Sequence, residues 1–321
     1  MTIKNVCVLG GAGFVGNCIV AKLDAAGYQV KVLTRHRERA KHLILLPNVQ
    51  VHECHIGNNH ALTDALKGSD AVINLIGILH ENGNNTFESV HHQLPRKIAQ
   101  VCESLGINRL IHMSALRAGK YAPSQYLRSK AAGEDAINEF SKKLDITIFK
   151  PSVIFGRGDS FLNLFANLVK FLPVVALAKP NAKFQPIWVE DVASAFVNSL
   201  QNTATYGKTY ELGGLTVYTL RELVQKVMDV LSKQKPIIGL NDSLSYAQAF
   251  MLELMPIKLM TRDNVRSMEV DNVTASPIMA ELGITLTPLE VVMPEYLLNQ
   301  SPRAAYDGFR SAAGRAINAR R

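Results

Sequence analysis

Tyr126 and Lys130 stand four residues apart in a stretch patterned as a helix, and Ser114 ends the strand-like run before it. The i,i+4 spacing sets phenol and ammonium on one helical face. A cation there lowers the phenol's pKa and can also hold a ribose hydroxyl. With a serine hydroxyl opposite, Tyr126 would exchange a substrate proton, Lys130 would tune it, and Ser114 would orient the carbonyl or hydroxyl. Y-x-x-x-K is common by chance, and an ordinary amphipathic helix shows it as readily. Its weight comes from what precedes it.

That is the run Gly10-Gly11-Ala12-Gly13-Phe14-Val15-Gly16, directly after a strand pattern and opening a helix pattern. Glycines let the chain turn tightly, let backbone N–H groups approach a pyrophosphate, and let helix pack on strand, while the helix N-terminus favours the anion. Dinucleotide binding follows. An acid at the end of the second strand would hold the ribose hydroxyls of NAD. Here the place belongs to Arg35, followed by His36, Arg37, Arg39 and Lys41. A guanidinium suits a 2′-phosphate, which favours NADP(H) over NAD(H). The alternative is a solvated basic loop.

The elements that must position these residues alternate along the first half. Strand patterns cover Ile3–Leu9, Gln29–Thr34, Val49–Glu53, Ala71–Ile76, Arg109–Met113 and Asp145–Lys150, with helix patterns at Phe14–Ala26, Ala61–Leu66, Phe87–Leu105 and Ser124–Leu144. Repeated βαβ units predict an α/β fold: a Rossmann-type, doubly wound parallel sheet. Beyond Pro151 frequent prolines break the pattern into short segments. The expected division is 1–157 for nucleotide binding with 186–208 returning to it, 158–300 as a smaller C-terminal substrate or partner domain, and 301–321 as a basic tail.

With these runs in view, the chain resembles the atypical or extended short-chain dehydrogenase/reductase superfamily, which includes NAD-dependent epimerases and dehydratases. Within it, the chain is most similar to bacterial relatives of the NADPH-binding, Rossmann-type accessory subunit of respiratory complex I. The resemblance covers nearly the whole chain. Besides Gly10 to Gly16 it includes Ser114-Ala115-Leu116, Tyr126 through Glu134, Lys150-Pro151-Ser152 with Ile154-Phe155-Gly156, and Gln185-Pro186 to Val189 with Asp191-Val192-Ala193. Met260 through Val265, Leu282-Gly283-Ile284 and Thr287-Pro288-Leu289-Glu290 point to the accessory-subunit branch rather than to sugar epimerases. The resemblance implies that Gly10, Ala12, Gly13, Phe14 and Val15 meet the pyrophosphate and Arg35 the 2′-phosphate. It implies Leu75, Ile76 and Gly77 on the adenosine side, Tyr126 and Lys130 on the nicotinamide ribose, and Pro151, Ser152 and Val153 behind the nicotinamide. Where such proteins often show Gly-Asp after the third strand, with the aspartate reaching adenine, this chain departs with Cys54-His55 and lacks that carboxylate; His55, with Ile56 beside it, could still donate to or stack on the adenine.

Composition bounds the rest. With 321 residues, 47% hydrophobic and 19% charged, the chain is no disordered or low-complexity sequence. Its net charge of +8 suggests an acidic partner, but no nucleic-acid motif accompanies it. The charge is local: residues 35–41 carry +3, and 301–321, with five arginines against Asp307, carry +4. Cys7, Cys18, Cys54 and Cys102 are widely spaced and read as reduced thiols of a cytoplasmic protein. His52, Cys54, His55 and His60 suggest a metal cluster, but strand alternation sends His55 to the face opposite His52 and Cys54, so no metal is expected. His91 and His92 read as solvent or cleft residues. Phe161–Ala178 and Ala247–Met260 are strongly apolar: core packing is the plain reading, and a surface for a quinone-like ligand, a membrane or respiratory-complex subunits the sharper one. The segment 6–21 is too short to span a bilayer, so a soluble protein is expected, or one peripheral on the inner face of the cytoplasmic membrane through 247–260 or the tail. Two functions remain: an NADP(H)-binding protein of respiratory complex I or ubiquinone metabolism whose nucleotide serves structure or sensing, and an active NADP(H)-dependent reductase, dehydrogenase or epimerase using Ser114, Tyr126 and Lys130.

Overall fold

The computed structural model describes residues 2–255, 258–275 and 280–298. In the first half, β1 (Asn5–Leu9), α1 (Phe14–Ala25), β2 (Gln29–Thr34), β3 (Val49–Glu53), α2 (Asn59–Leu66), β4 (Ala71–Asn74), α3 (Leu94–Leu105), β5 (Arg109–Met113), α4 (Gln125–Asn138) and β6 (Asp145–Pro151) follow one another. The second half adds β7 (Ile154–Phe155), α5 (Leu162–Phe171), β8 (Val175–Leu177), β9 (Lys183–Phe184), β10 (Ile187–Trp188), α6 (Val189–Ser199), β11 (Lys208–Leu212), β12 (Tyr218–Thr219), α7 (Leu220–Val230), β13 (Ile237–Gly239), α8 (Asp242–Glu253), α9 (Arg262–Ser267) and α10 (Leu289–Leu298).

Seven strands form one parallel sheet in the order β11-β6-β5-β4-β1-β2-β3. Its central strands are buried on both faces, and Ala71–Asn74 shows no exposed position. This is why they read as continuous apolar runs. Two cores flank the sheet: Ile19, Val20 and Leu23 of α1 pack with Val192 and Phe196 of α6, and Ile98 and Cys102 of α3 pack with Ile137 of α4. Strand order reverses between β1 and β4, and a crevice opens at the carboxyl ends of such strands. The glycine turn leaves β1 there. This is the Rossmann-type sheet expected.

Three departures from the sequence reading have physical causes. The helix expected from Phe87 begins as a π turn over Glu88–Gln93. Pro95 has no N–H to give the His91 carbonyl, so α-helical bonding fails at that step and the coil widens. The helix expected to reach Leu144 ends at Asn138, with turns closed by Phe140 and Leu144 returning the chain to β6. The strand at Ile187–Trp188 pairs with β7 outside the main sheet, whose seventh strand is instead Lys208–Leu212.

Short two-stranded pairings, β10 with β7, β12 with β9 and β13 with β8, connect the second half, and α5, α7 and α10 pack around Phe155, Leu223 and Met293. Asp191 takes the Thr287 N–H at 2.8 Å and its hydroxyl at 3.2 Å, which joins two of the singled-out runs. Among the described residues no helix is long and apolar enough to cross a membrane. All four cysteines are free thiols.

Candidate functional site

The glycine turn is built for close approach. Gly10 has φ +81°, which favours glycine, and the Gly13 N–H closes the turn on the Gly10 carbonyl at 3.0 Å. A Cβ at Gly16 would lie 2.3 Å from the Gly10 oxygen, so any side chain there would push α1 off β1. Gly13 is the N-cap of α1, with no side chain bonding the first turn and no acid in it. A helix N-terminus left without a side-chain cap or an acid presents N–H groups and the positive end of its dipole, an arrangement chemically suited to an anion such as a phosphate.

Arg35 is exposed at the end of β2, with no acid beside it in sequence, and the basic residues after it wind into a short 3₁₀ segment, Arg37–Leu45. Glu53 accepts the Arg37 N–H at 3.3 Å. β3 ends at Glu53, so Cys54 leaves the strand alternation: it is buried with its Sγ on the Ala61 carbonyl at 3.6 Å, while His52 and His55 are both exposed. His52 and Cys54 thus do not share a face as strand alternation would require. Ile56 is half-buried against the core that holds Cys54, and Leu75 is buried in the core on the α1 and α6 side of the sheet.

Tyr126 and Lys130 lie on α4 beside the loop that follows β4. Lys130 is buried, donates to the Met113 carbonyl at 3.1 Å, and would sit 3.0 Å from a Cβ at Gly77. Burial pushes its pKa down to about 8, with Glu134 partly holding it up. Burial also pushes the Tyr126 phenol up, to about 12. This departs from the expectation of a phenol acidified by Lys130: burial disfavours the phenolate, and it is burial that sets the direction of the shift. Ser114 departs as well. Its hydroxyl donates to Glu134, whose carboxylate also pairs with Lys150 at 3.1 Å, instead of standing free for a substrate.

His91 is the residue that sequence reasoning misplaced. It is buried, not a solvent or cleft residue, and its Nε2 accepts the Ile78 N–H at 3.0 Å. The proton therefore sits on Nδ1, 2.8 Å from Ser129 Oγ, and the Ser129 hydroxyl donates to the Tyr126 carbonyl at 2.8 Å. Its ring meets Tyr126 edge-on at 5.6 Å and stacks on Phe87 at 5.3 Å. Burial first, then Lys130, holds its pKa down to about 3, so it stays neutral. Behind it, Asn74 takes the Ile76 N–H at 3.2 Å and donates to His112 Nδ1 at 3.1 Å. Burial, Lys130 and His91 hold His112 neutral too. The neutral His91 imidazole thus ties the loop after β4 to α4, and His112 holds Asn74, which fixes the start of that loop. His92 is half-buried and bonds Glu88 at 2.8 Å.

At the end of β6, Pro151 accepts the Leu116 N–H at 2.9 Å, and Ser152 and Val153 are held from the far end of the chain by Asn272. Glu134 and Asp263 fall within runs that carry the resemblance, and Asn272 within none, but the sequence assigned no role to any of them, because their partners lie in other segments. Of the apolar stretches, Phe161–Ala178 buries Leu162, Phe165 and Val169 in the core but leaves Phe171 exposed, and α8 with the two residues after it leaves Phe250, Met251, Leu254 and Met255 exposed. The tail 301–321 lies outside the described residues.

Comparison with known proteins agrees with this architecture. The profile of the NAD dependent epimerase/dehydratase family matches residues 6–213. The chain is 34% identical to the mitochondrial NADH dehydrogenase (ubiquinone) 1 alpha subcomplex subunit 9 of Mus musculus, over 90% of this chain and 78% of that one. It is 32% identical to the subunit of the same name from Arabidopsis thaliana, over 89% and 73% respectively. The solved structure of an NADPH-dependent quinone oxidoreductase from Escherichia coli, complexed with NADPH, shares the fold, with a TM-score of 0.73 at 17% identity over 92% of this chain and all of that one. The chain therefore belongs to the NAD dependent epimerase/dehydratase family, in a group with the alpha subcomplex subunit 9 proteins.

Proposed function

We propose that this protein binds NADP(H) as a structural or sensing nucleotide and serves as an accessory subunit of a respiratory complex I. The observation that carries the reading is the similarity to alpha subcomplex subunit 9 over nine-tenths of the chain, joined to a glycine turn fit for a pyrophosphate. Gly10, Ala12, Gly13, Phe14 and Val15 would hold the pyrophosphate, Arg35 the 2′-phosphate, and His55, Ile56, Leu75, Ile76 and Gly77 the adenosine side. Tyr126 and Lys130 would hold the nicotinamide ribose, and Pro151, Ser152 and Val153 would back the ring. A bound nicotinamide supplies hydride chemistry. Ser114, committed to Glu134, favours holding over turnover, while the Tyr126 phenol keeps its proton to about pH 12.

That same protonated phenol supports a second reading, reduction of a small carbonyl compound with Tyr126 as the acid and Lys130 steadying the ribose. Tyr126→Phe separates the two: a holding protein keeps NADPH bound without it, whereas a reductase loses turnover on quinones or other ketones. The exposed apolar end of α8 supports a peripheral position on the inner face of the cytoplasmic membrane, against other subunits or lipid.

The test is to release and identify whatever nucleotide copurifies, then to compare thermal shifts with NADPH and NADH for the native protein and Arg35→Ala. NADPH is expected to copurify and to stabilise more. A charge-assisted bond from an exposed guanidinium is worth about 1.5 kcal/mol, so roughly tenfold in preference should vanish in Arg35→Ala. Equal shifts with both nucleotides in the native protein would sink the 2′-phosphate assignment.

A further inference from the structure

The residues assigned to the nicotinamide half lie before position 160, yet two side chains that set their geometry come from the C-terminal part of the chain. α9 is short but secured by its own capping box, with the Thr261 N–H on Asn264 Oδ1 at 2.9 Å and the Asn264 N–H on Thr261 Oγ1 at 3.3 Å. Asp263 in its first turn turns away to another helix. Its Oδ1 accepts the Gln125 N–H at 2.8 Å and its Oδ2 the Tyr126 N–H at 2.9 Å. These are first-turn donors of α4 that no helical carbonyl can reach. The local cap, Ser124, takes only the Leu127 N–H, at 3.2 Å. The helix bearing Tyr126 and Lys130 is therefore capped a second time by a residue 137 positions away.

The same segment reaches the other wall of the site. Asn272 Oδ1 accepts the Ser152 hydroxyl at 2.5 Å and the Val153 N–H at 3.2 Å. The backbone around it is fixed independently of that side chain. Arg117 donates to the carbonyls of Asp271 at 3.0 Å and Val273 at 2.5 Å, and Asn272 itself exchanges backbone bonds with Lys183 at 2.8 Å and Gln185 at 3.1 Å. One strap, 261–274, thus ties the start of α4 to the turn after β6.

We propose that Asp263 and Asn272 are positioning residues for the nicotinamide half of the nucleotide site, holding Tyr126 and Val153 in register across it. This rests on the nucleotide reading given above. The adenosine half, built from the glycine turn and Arg35, takes no part in the bonds from Asp263 and Asn272 to Gln125, Tyr126, Ser152 and Val153, so the two halves should respond differently. The experiment measures dissociation constants for NADPH and for adenosine 2′,5′-bisphosphate, which carries the 2′-phosphate but no nicotinamide. It uses the full chain as native protein, Asp263→Ala, Asp263→Asn and Asn272→Ala, each checked for a native melting transition.

Loss of a cap is worth several-fold, so NADPH should bind about five- to tenfold more weakly to Asp263→Ala and Asn272→Ala, with the bisphosphate unchanged. Asp263→Asn keeps one acceptor and should fall between. If Asp263→Ala does not fold, Asn272→Ala and Asp263→Asn decide, since the first leaves the strap's backbone bonds intact. Equal weakening of both ligands, or of neither, overturns the positioning role. If native protein binds neither ligand, the nucleotide reading itself fails and this inference falls with it.

Discussion

Gly133→Ala tests whether the helix carrying Tyr126 and Lys130 is placed by a backbone contact. An ideal Cβ at Gly133 would lie 2.0 Å from the His91 carbonyl oxygen, and real Cβ contacts do not fall below 3.0 Å, so α4 and the π turn must part by at least about 1 Å. The obstacle is a main-chain oxygen in a turn anchored by His91 to Ile78 and Ser129, and it cannot swing aside. Overpacking of this kind costs roughly 1–3 kcal/mol, and a rigid obstacle argues for the upper end. Alanine in place of glycine inside a helix returns about 1 kcal/mol. The net, about 2 kcal/mol, lowers the melting temperature by roughly 3 °C for a chain of 321 residues. Because the displaced helix face holds Tyr126 and Lys130, NADPH should also stabilise the variant less than the native protein. Thermal melts with and without NADPH read both effects, with Asp135→Ala on the exposed face of α4 as the control, expected to melt within about 1 °C of native. A Gly133→Ala protein that melts with the native protein and binds NADPH as well would refute the argument.

Other consequences follow from the buried charges. The folded protein keeps His91 neutral down to about pH 3, whereas the unfolded chain takes up that proton near 6.5, so stability should fall as pH drops through that window and be indifferent to His91 above it. His91→Gln should flatten the acid limb of a denaturation profile by one proton's worth; an unchanged limb would contradict a neutral His91. Lys130 titrates near 8 in the folded protein against 10.5 unfolded, so its burial penalty is full below pH 8 and is relieved progressively up to about 10.5. Lys130→Met should therefore be at least as stable as native at pH 7 while binding NADPH about tenfold more weakly, by calorimetry, through loss of a charged donor. A large loss of stability with unchanged NADPH affinity would reverse the roles assigned to it.

The sequence by itself determined the sheet and the glycine turn, because both depend on local order. Apolar runs bounded by glycine mark strands buried on two faces, and the spacing of Gly10, Gly13 and Gly16 is dictated by a single turn between β1 and α1. The position of Arg35, directly after β2, was legible for the same reason. Only the tertiary structure decided the chemical state of the site. Whether the Tyr126 phenol is acidified or raised, whether Ser114 is free or bound to Glu134, and whether His91 faces water or the Ile78 N–H depend on burial and on partners that spacing along the chain does not reveal. Asp263 and Asn272 show this most plainly. Each completes backbone donors more than a hundred positions away, because a helix N-terminus or a strand exit can be satisfied by any acceptor that folding brings within 3 Å or so.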